Sequence, residues 1–287
     1  MAKAELMDFD KALELFEEAT SLAPNDHTLY LHAAASALAL DDVGRAKGFV
    51  DAAGQLQPKN PEVMNYRGQV LRMTDPKLAV TVFREAMDLS PDDPRLPYQL
   101  GITHQRMGVN IEAKDDFQRA INLDPNFADA YYGLGVSLRD LGRSTEARSA
   151  FTDVTRIDKK RVDAHIQIAE ILTTLGDPSG AISSYERAMK ADPESPRPIC
   201  EMGVMLVQTL GNEPMHLKRG VRSLEQCVQM DPKHPIAFRI LGSAYRDVKN
   251  RGMAVKAFQA HLKNNPDDIN NTMVCEALAG LGAPCRD

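Results

Sequence analysis

The sequence predicts an all-α solenoid of paired helices, and three repeating features predict it. The first is a set of prolines with a period of about 34 residues, which is typical of helical repeat proteins: Pro24, Pro58, Pro91, Pro125, Pro193, Pro232 and Pro266. Lys159 stands where a proline would fall between Pro125 and Pro193, and the interval from Pro193 to Pro232 is longer, at 39 residues. The second is a large residue eight positions before each proline: Phe16, Val50, Phe83, Phe117, Tyr185, Leu224 and Phe258. The third is a small residue twelve positions before it: Ala12, Ala46, Ala79, Ala113, Ala181, Gly220 and Ala254.

Each of these columns has a physical role in a helical hairpin. Small side chains let two helices approach closely, and the large ones fill the space between neighbouring hairpins. A proline ends the second helix because it lacks an N–H and clashes with the preceding turn. Gly108, Gly142 and Gly176 fall in mid-repeat, where we expect the turn between helix A and helix B.

The block from Asn126 to Asp158, NFADAYYGLGVSLRDLGRSTEARSAFTDVTRID, shows the pattern best. It resembles the tetratricopeptide repeat family, whose positions 4, 7, 8, 11, 20 and 24 are matched here by Tyr131, Leu134, Gly135, Leu138, Ala147 and Phe151. The family's Trp at position 4 is absent throughout. The resemblance implies a right-handed superhelix of helix-turn-helix repeats, in which helix A lines the concave groove.

In this register residues 1–287 form one solenoid. Residues 1–26 are a partial repeat, of which 8–26 form a helix B. Seven whole repeats follow, at 27–60, 61–93, 94–127, 128–161, 162–195, 196–234 and 235–268. The sixth is longer than the others, and we expect an extended loop or an added helical turn at about Leu210–Arg219. Residues 269–287 form a capping helix and a tail.

Net charge and the distribution of apolar residues disfavour some classes of function. The net charge of −6 disfavours nucleic-acid binding, and no apolar run reaches the roughly 18 residues that would span a membrane. Residues Met1–Asp10 lack the pattern of a secretory signal. We therefore favour a cytoplasmic location, or a periplasmic one if the chain is processed from a longer precursor. Cys275 and Cys285 could form a disulfide, but two unpaired thiols are the favoured expectation.

No catalytic, cofactor-binding or metal-binding motif is recognisable, because the cysteines form no CxxC pair and no two histidines have ligand spacing on one helix. His104 and His165 occupy positions that are usually apolar or aromatic, so we expect them to be packing residues. His261 takes a position normally filled by Ala. The sequence therefore predicts a protein that is not an enzyme.

The resemblance also places candidate ligand-facing positions on the helices A. The residues we expect to line the groove are Arg72, Arg95, Tyr98, Gln105, Arg106, Tyr132, Arg139, Arg239 and Arg246; Cys200 falls at such a position as well. Arginine binds carboxylates through two parallel hydrogen bonds, and tyrosine supplies apolar area with a polar tip. These residues predict a groove for an acidic or C-terminal peptide. The alternative is that the arginines pair with nearby acids such as Asp129, Asp140 and Glu170.

Three functions compete at this stage, and a regulatory domain cut from a larger enzyme is a further alternative. The first is a scaffold that binds a protein or peptide partner in the groove. The second is a bacterial envelope assembly or pilot protein of the pilus or secretin type, which a Cys275–Cys285 disulfide would fit. The third is a structural protein that self-associates through its N-terminal edge. The carboxylate clamp of the family's chaperone-binding members is absent, so we expect no binding of acidic chaperone C-terminal peptides.

Overall fold

The computed structural model describes residues 2–285, with side chains described from Asp8 to Cys285. The ends of the predicted partial repeat and tail, Met1 and Arg286–Asp287, lie outside the described residues. The described residues contain sixteen α-helices and no strand. The predicted all-α repeat fold is thereby confirmed.

The chain divides into two compact units, at residues 1–157 and 158–287. Unit 1 contains α1 (Ala2–Leu22), α2 (His27–Ala39), α3 (Val43–Leu56), α4 (Pro61–Thr74), α5 (Pro76–Leu89), α6 (Arg95–Arg106), α7 (Asn110–Leu123), α8 (Ala128–Asp140) and α9 (Ser144–Ile157). Unit 2 contains α10 (Val162–Thr174), α11 (Pro178–Ala191), α12 (Arg197–Leu210), α13 (Pro214–Met230), α14 (Ala237–Asp247), α15 (Arg251–Asn264) and α16 (Asn271–Gly280). The single solenoid over 1–287 stays a prediction.

Consecutive helices pack as hairpins, α2 on α3, α4 on α5, α6 on α7 and α8 on α9 in unit 1. The same pairing continues in unit 2 with α10 on α11, α12 on α13 and α14 on α15. The first helix of each of these seven pairs is called helix A below, and the second helix B. The extra residues of the sixth repeat lengthen its helix B, since α13 has 17 residues and α11 and α15 have 14.

Side-chain caps determine where several helices begin. The Asn60 side chain accepts hydrogen bonds from the backbone N–H groups of Glu62 and Val63 at the start of α4. Asp75 and Asp177 cap α5 and α11 in the same way, and each is followed by a proline in the first turn of its helix. These caps satisfy N–H groups that have no partner within the helix, and proline at this position lacks an N–H to satisfy.

The predicted pairing of small and large residues is visible inside the hairpins. A Cβ atom added to Gly68 would lie 2.5 Å from the Phe83 ring, and one added to Gly135 would lie 2.8 Å from the Phe151 ring. Both phenylalanines are completely buried. Glycine is therefore required at these helix A positions, because any larger residue would collide with an aromatic ring that fills the core.

In five of the seven hairpins, the turn between the two helices contains one residue with positive φ. Gly108, Gly142 and Gly176 have φ of 75°, 76° and 76° at this position. In the first and seventh repeats the position is taken by Asp41 (φ 58°) and Lys249 (φ 60°). A lysine is strained there because its Cβ approaches the following carbonyl oxygen in this conformation.

We therefore expect Lys249→Gly to raise the free energy of unfolding by about 1 kcal/mol. The reverse change at an equivalent turn, Gly142→Ala, should lower it by a similar amount. Urea denaturation followed by circular dichroism measures both. A Lys249→Gly variant less stable than the wild type would show that the lysine makes a contact that outweighs its backbone strain.

Candidate functional site

The predicted groove residues lie on helices A of the two units. Seven of them belong to unit 1, where Arg72 is on α4, Tyr132 and Arg139 are on α8, and the others are on α6: Arg95, Tyr98, Gln105 and Arg106. Arg239 and Arg246 are on α14 in unit 2. We call the surface formed by α4, α6 and α8 the helix A face of unit 1. It holds the largest group of candidate residues.

Two arginines of the helix A face are close to each other. Arg72 is half-buried, and its Nη1 donates a hydrogen bond to Gln99 Oε1 at 2.5 Å. Arg106 is exposed, and its Nη1 lies 3.3 Å from the sulfur of Met73. Among the described residues, neither guanidinium has a carboxylate within ion-pair distance.

The electrostatics of this pair favour an anion. Burial, and next the positive charge of Arg106, lower the pKa of Arg72, whereas Tyr98 raises it. Arginine nevertheless stays charged in proteins. Arg72 is therefore a half-desolvated cation beside a second cation, and an incoming carboxylate would relieve the repulsion between the two.

Two half-buried tyrosines lie on the same helix A face. The half-buried Tyr98 ring packs against Phe127, with centroids 4.8 Å apart, and against Phe117 at 5.9 Å. Tyr132 is also half-buried and meets Phe151 in an edge-on contact at 5.3 Å. Their ring positions are fixed by the core, so each presents a rigid, partly exposed surface.

Three of the other four predicted arginines have carboxylate neighbours. Arg95 pairs with Asp93 at 2.7 Å, Arg139 with Asp140 at 3.0 Å and Arg246 with Asp247 at 3.6 Å. The alternative interpretation of the sequence, arginines paired with nearby acids, thus describes these three residues. Their charge is largely balanced locally, so they contribute less to an anion site than Arg72 and Arg106 do.

Gln105 connects two helices A of unit 1. Its Nε2 donates hydrogen bonds to the carbonyl of Gly133 at 3.0 Å and to Ser137 Oγ at 2.9 Å. The structure thus gives this residue a role in joining α6 to α8, where we had predicted a ligand contact.

Arg239 has a different environment in unit 2. Among the described residues its Nε is buried without a hydrogen-bond partner. Its charge acts on His261 and Asp268 near the C-terminal helix. His261 itself is completely buried and lies 3.2 Å from Asp268, so the unusual histidine links α15 to the loop before α16.

Unit 2 has an acidic cavity that the sequence analysis missed. It has a volume of about 300 Å³ and is lined by residues that include Tyr185, Glu201, Met205 and His234. Arg197 binds the Glu201 carboxylate at 2.6 Å and Asp163 at 3.1 Å. Burial, followed by the charge of Glu201, raises the pKa of Tyr185. The sequence feature that could have revealed this cavity is the group of acidic residues around a single arginine, Arg197.

The cysteines correct two expectations. Cys275 and Cys285, expected as unpaired thiols, are joined in a disulfide. Cys200, which fell at a ligand-facing position, is completely buried and bonded to Cys227. The prediction for Cys200 was wrong because its side chain points from α12 towards α13. The described cysteines thus form two disulfides.

The histidines assigned to packing are buried as expected, and one of them also contacts a carboxylate. His104 on α6 is buried, and its Nδ1 lies 2.6 Å from Asp116 Oδ2 on α7. His165 is buried on α10, and its Nε2 lies 3.3 Å from the carbonyl of Lys159. Both residues hold neighbouring elements together.

No helix in residues 2–285 combines the length and the apolar character needed to cross a bilayer. The predicted self-association edge is formed by α1, which leaves Phe9, Leu15 and Leu22 exposed. Self-association through this edge stays a prediction.

Comparison with known proteins identifies the repeat. Three family models, each described as tetratricopeptide repeat, match residues 95–127, 117–149 and 137–196. A comparison with curated proteins gives no match.

Solved structures with the same fold include yeast Tom70, with a TM-score of 0.61, 18% identity and 96% of this chain covered. The chain spans 58% of that protein. The APC/C hetero-tetramer Cut9–Hcn1 gives a TM-score of 0.62 at 14% identity, covering 95% of this chain and 52% of the other. PilW, a type IV pilus biogenesis factor, gives a TM-score of 0.59 at 21% identity, covering 66% of this chain and 88% of the other. At these identities the likeness concerns the fold.

Proposed function

Because the chain is a tetratricopeptide repeat protein, we propose that it is a non-enzymatic scaffold that binds an acidic segment of a partner protein on the helix A face of unit 1. The observation that carries the proposal is the Arg72–Arg106 pair. Two neighbouring guanidiniums without a carboxylate partner among the described residues form a positive site on a chain of net charge −6. A scaffold role with protein partners agrees with one of the similar structures, the hetero-tetrameric Cut9–Hcn1 assembly.

The chemistry of the face defines the ligand. Arg106 is exposed and can turn its donors towards a carboxylate, whereas Arg72 is held in place by Gln99. Charge-assisted hydrogen bonds of this kind are about twice as strong as neutral ones. The rings of Tyr98 and Tyr132 offer apolar area for a side chain beside the acidic group. We therefore expect a segment with one or two carboxylates followed by an aromatic or aliphatic residue.

The proposal is tested with three sets of short labelled peptides that share the same apolar residues. One set carries Asp and Glu, the second carries the corresponding Asn and Gln, and the third carries Lys. Fluorescence anisotropy should show binding of the acidic set alone. If the amide set binds equally well, the arginines do not select the ligand. If none of the sets binds but a partner protein does, the partner uses another surface.

A second candidate function is supported by the disulfides. All four cysteines are bonded, as Cys200–Cys227 and Cys275–Cys285, and disulfides persist mainly in oxidising compartments such as the periplasm. This favours an envelope protein that assists an assembly such as a pilus, the role named for PilW. Thiol titration of the denatured protein, isolated from its native cell with thiols blocked at lysis, tests it. Four reactive thiols would rule the oxidising location out.

A further inference from the structure

Three side chains from consecutive elements meet inside unit 2. Cys200 lies on α12, Cys227 on α13, and His234 in the turn before α14. The two sulfurs and a ring nitrogen of His234 all lie within 4.8 Å of one another. The cysteines are completely buried and the histidine is half-buried. None of the three has a role in the binding face proposed for unit 1.

We propose that these three side chains bind a zinc(II) ion when the disulfide is reduced. Reduction by a small thiol adds two electrons and two protons, gives two Cys thiols, and converts the small thiol into its own disulfide. Zinc binding then releases the two thiol protons and forms two Zn–S bonds and one Zn–N bond. Thiolate and imidazole are the ligands that zinc prefers in proteins, and water completes the tetrahedron.

The distances suit this coordination. Zn–S bonds of about 2.3 Å and Zn–N bonds of about 2.0–2.1 Å place tetrahedral ligand atoms about 3.6–3.8 Å apart. The three atoms already lie within 4.8 Å, so the ring nitrogen has only a small distance to move. Once the sulfur–sulfur bond is reduced, the two sulfurs can separate by side-chain rotation, because the hairpin holds their Cα atoms 4.9 Å apart.

The position of His234 agrees with a ligand role, because a nitrogen of its half-buried ring lies within 4.8 Å of both sulfurs. Its Nδ1 accepts a hydrogen bond from the backbone N–H of Ala237 at 3.2 Å. Metal binding gives up this one hydrogen bond, and a zinc–imidazole bond replaces it.

The site has an entrance and a favourable charge. His234 lines the cavity of about 300 Å³ that also contains Glu201. One Glu201 oxygen binds Arg197, and the other is buried without a hydrogen-bond partner among the described residues. Two thiolates in an apolar core would be costly alone, but a divalent cation neutralises them.

Cobalt(II) is the spectroscopic probe for this site, because zinc itself has no visible absorption. The test protein is the full chain carrying Cys275→Ser and Cys285→Ser, so that only the Cys200–Cys227 pair remains. It is reduced under argon, freed of reductant and titrated with cobalt(II). We expect one cobalt per chain, a near-ultraviolet sulfur-to-cobalt band, and visible bands of four-coordinate cobalt that zinc(II) abolishes. The oxidised protein should show none of these bands.

The variants separate a built site from adventitious binding. His234→Ala should weaken cobalt binding by about tenfold or more, since even the loss of a residue that only orients a metal ligand has this effect. His216→Ala, which removes a histidine on α13 outside the cluster, should bind as the parent does. The absence of the sulfur-to-cobalt band in the reduced parent would overturn the proposal. So would an affinity that is the same with and without His234.

Discussion

Removing the Cys200–Cys227 disulfide should lower the free energy of unfolding of unit 2 by about 3.5 kcal/mol. The bond closes a loop whose ends are 27 residues apart, and such a crosslink reduces the entropy of the unfolded chain by this amount in the chain-entropy model. Both cysteines are completely buried between α12 and α13. Their loss also removes a covalent link within the longest of the seven hairpins.

The measurement compares urea denaturation of the wild type with that of the Cys200→Ala/Cys227→Ala variant, followed by circular dichroism. A melting temperature lower by about 10–15 °C should accompany the change in unit 2. The Cys275→Ala/Cys285→Ala variant is the matched control, because its 10-residue separation predicts a smaller loss of about 2.7 kcal/mol. If the first variant is as stable as the wild type, the Cys200–Cys227 bond does not form in the folded protein.

Reversing the charge of Arg106 should weaken binding of an acidic peptide by tenfold or more. A charge-assisted hydrogen bond to a carboxylate contributes about 1.5–3 kcal/mol, and a glutamate at this place would repel the ligand as well. Arg106 is exposed and makes no ion pair among the described residues. Arg106→Glu should therefore leave the stability of unit 1 nearly unchanged.

Arg119→Glu provides the matched control for this prediction. Arg119 is an exposed arginine on α7, the helix B of the same hairpin. The two substitutions therefore change the net charge of the protein equally, but only Arg106→Glu changes the helix A face. Calorimetry should show a loss of peptide affinity for Arg106→Glu and none for Arg119→Glu. Measured at two salt concentrations, the affinity of the wild type should fall as salt rises, because salt screens the attraction between the charges. Equal losses in both variants would mean that only the overall charge of the protein attracts the peptide.

The repeat was predictable from the sequence because each column reports a packing requirement. Gly68 and Gly135 are small since Phe83 and Phe151 fill the space beside them, and Gly142 lies where the backbone needs positive φ. Such constraints recur in most of the hairpins, so they appear as a period. The pattern also located the extra residues of the sixth repeat between its two helices, and in the structure they lengthen α13.

The Cys200–Cys227 bond was missed although the columns contained its signal. In an antiparallel hairpin, a pair of facing residues fixes the register of the whole pair. Gly203 faces Leu224, whose side chain lies 2.9 Å from a Cβ built on the glycine. Cys200 precedes the glycine by one helical turn and Cys227 follows the leucine by the same interval, so the two must face each other.

The charge balance of the groove was not predictable in this way. Arg139 and Arg106 occupy equivalent surfaces of α8 and α6, yet Arg139 pairs with Asp140 and Arg106 contacts Met73. The difference depends on side-chain conformation and on the adjacent residue, neither of which repeats with the helices. The structure was therefore needed to reduce the predicted arginines to the Arg72–Arg106 pair.

Site-specific photocrosslinking tests the binding face most directly. Met73, which contacts Arg106, is replaced by p-benzoylphenylalanine, and the same replacement is made at the exposed Gln118 on α7. Each protein is irradiated with the tightest-binding acidic peptide. Our account predicts a covalent peptide adduct from position 73 and none from position 118. An adduct from position 118 alone would contradict it and place the ligand on the helix B side of unit 1.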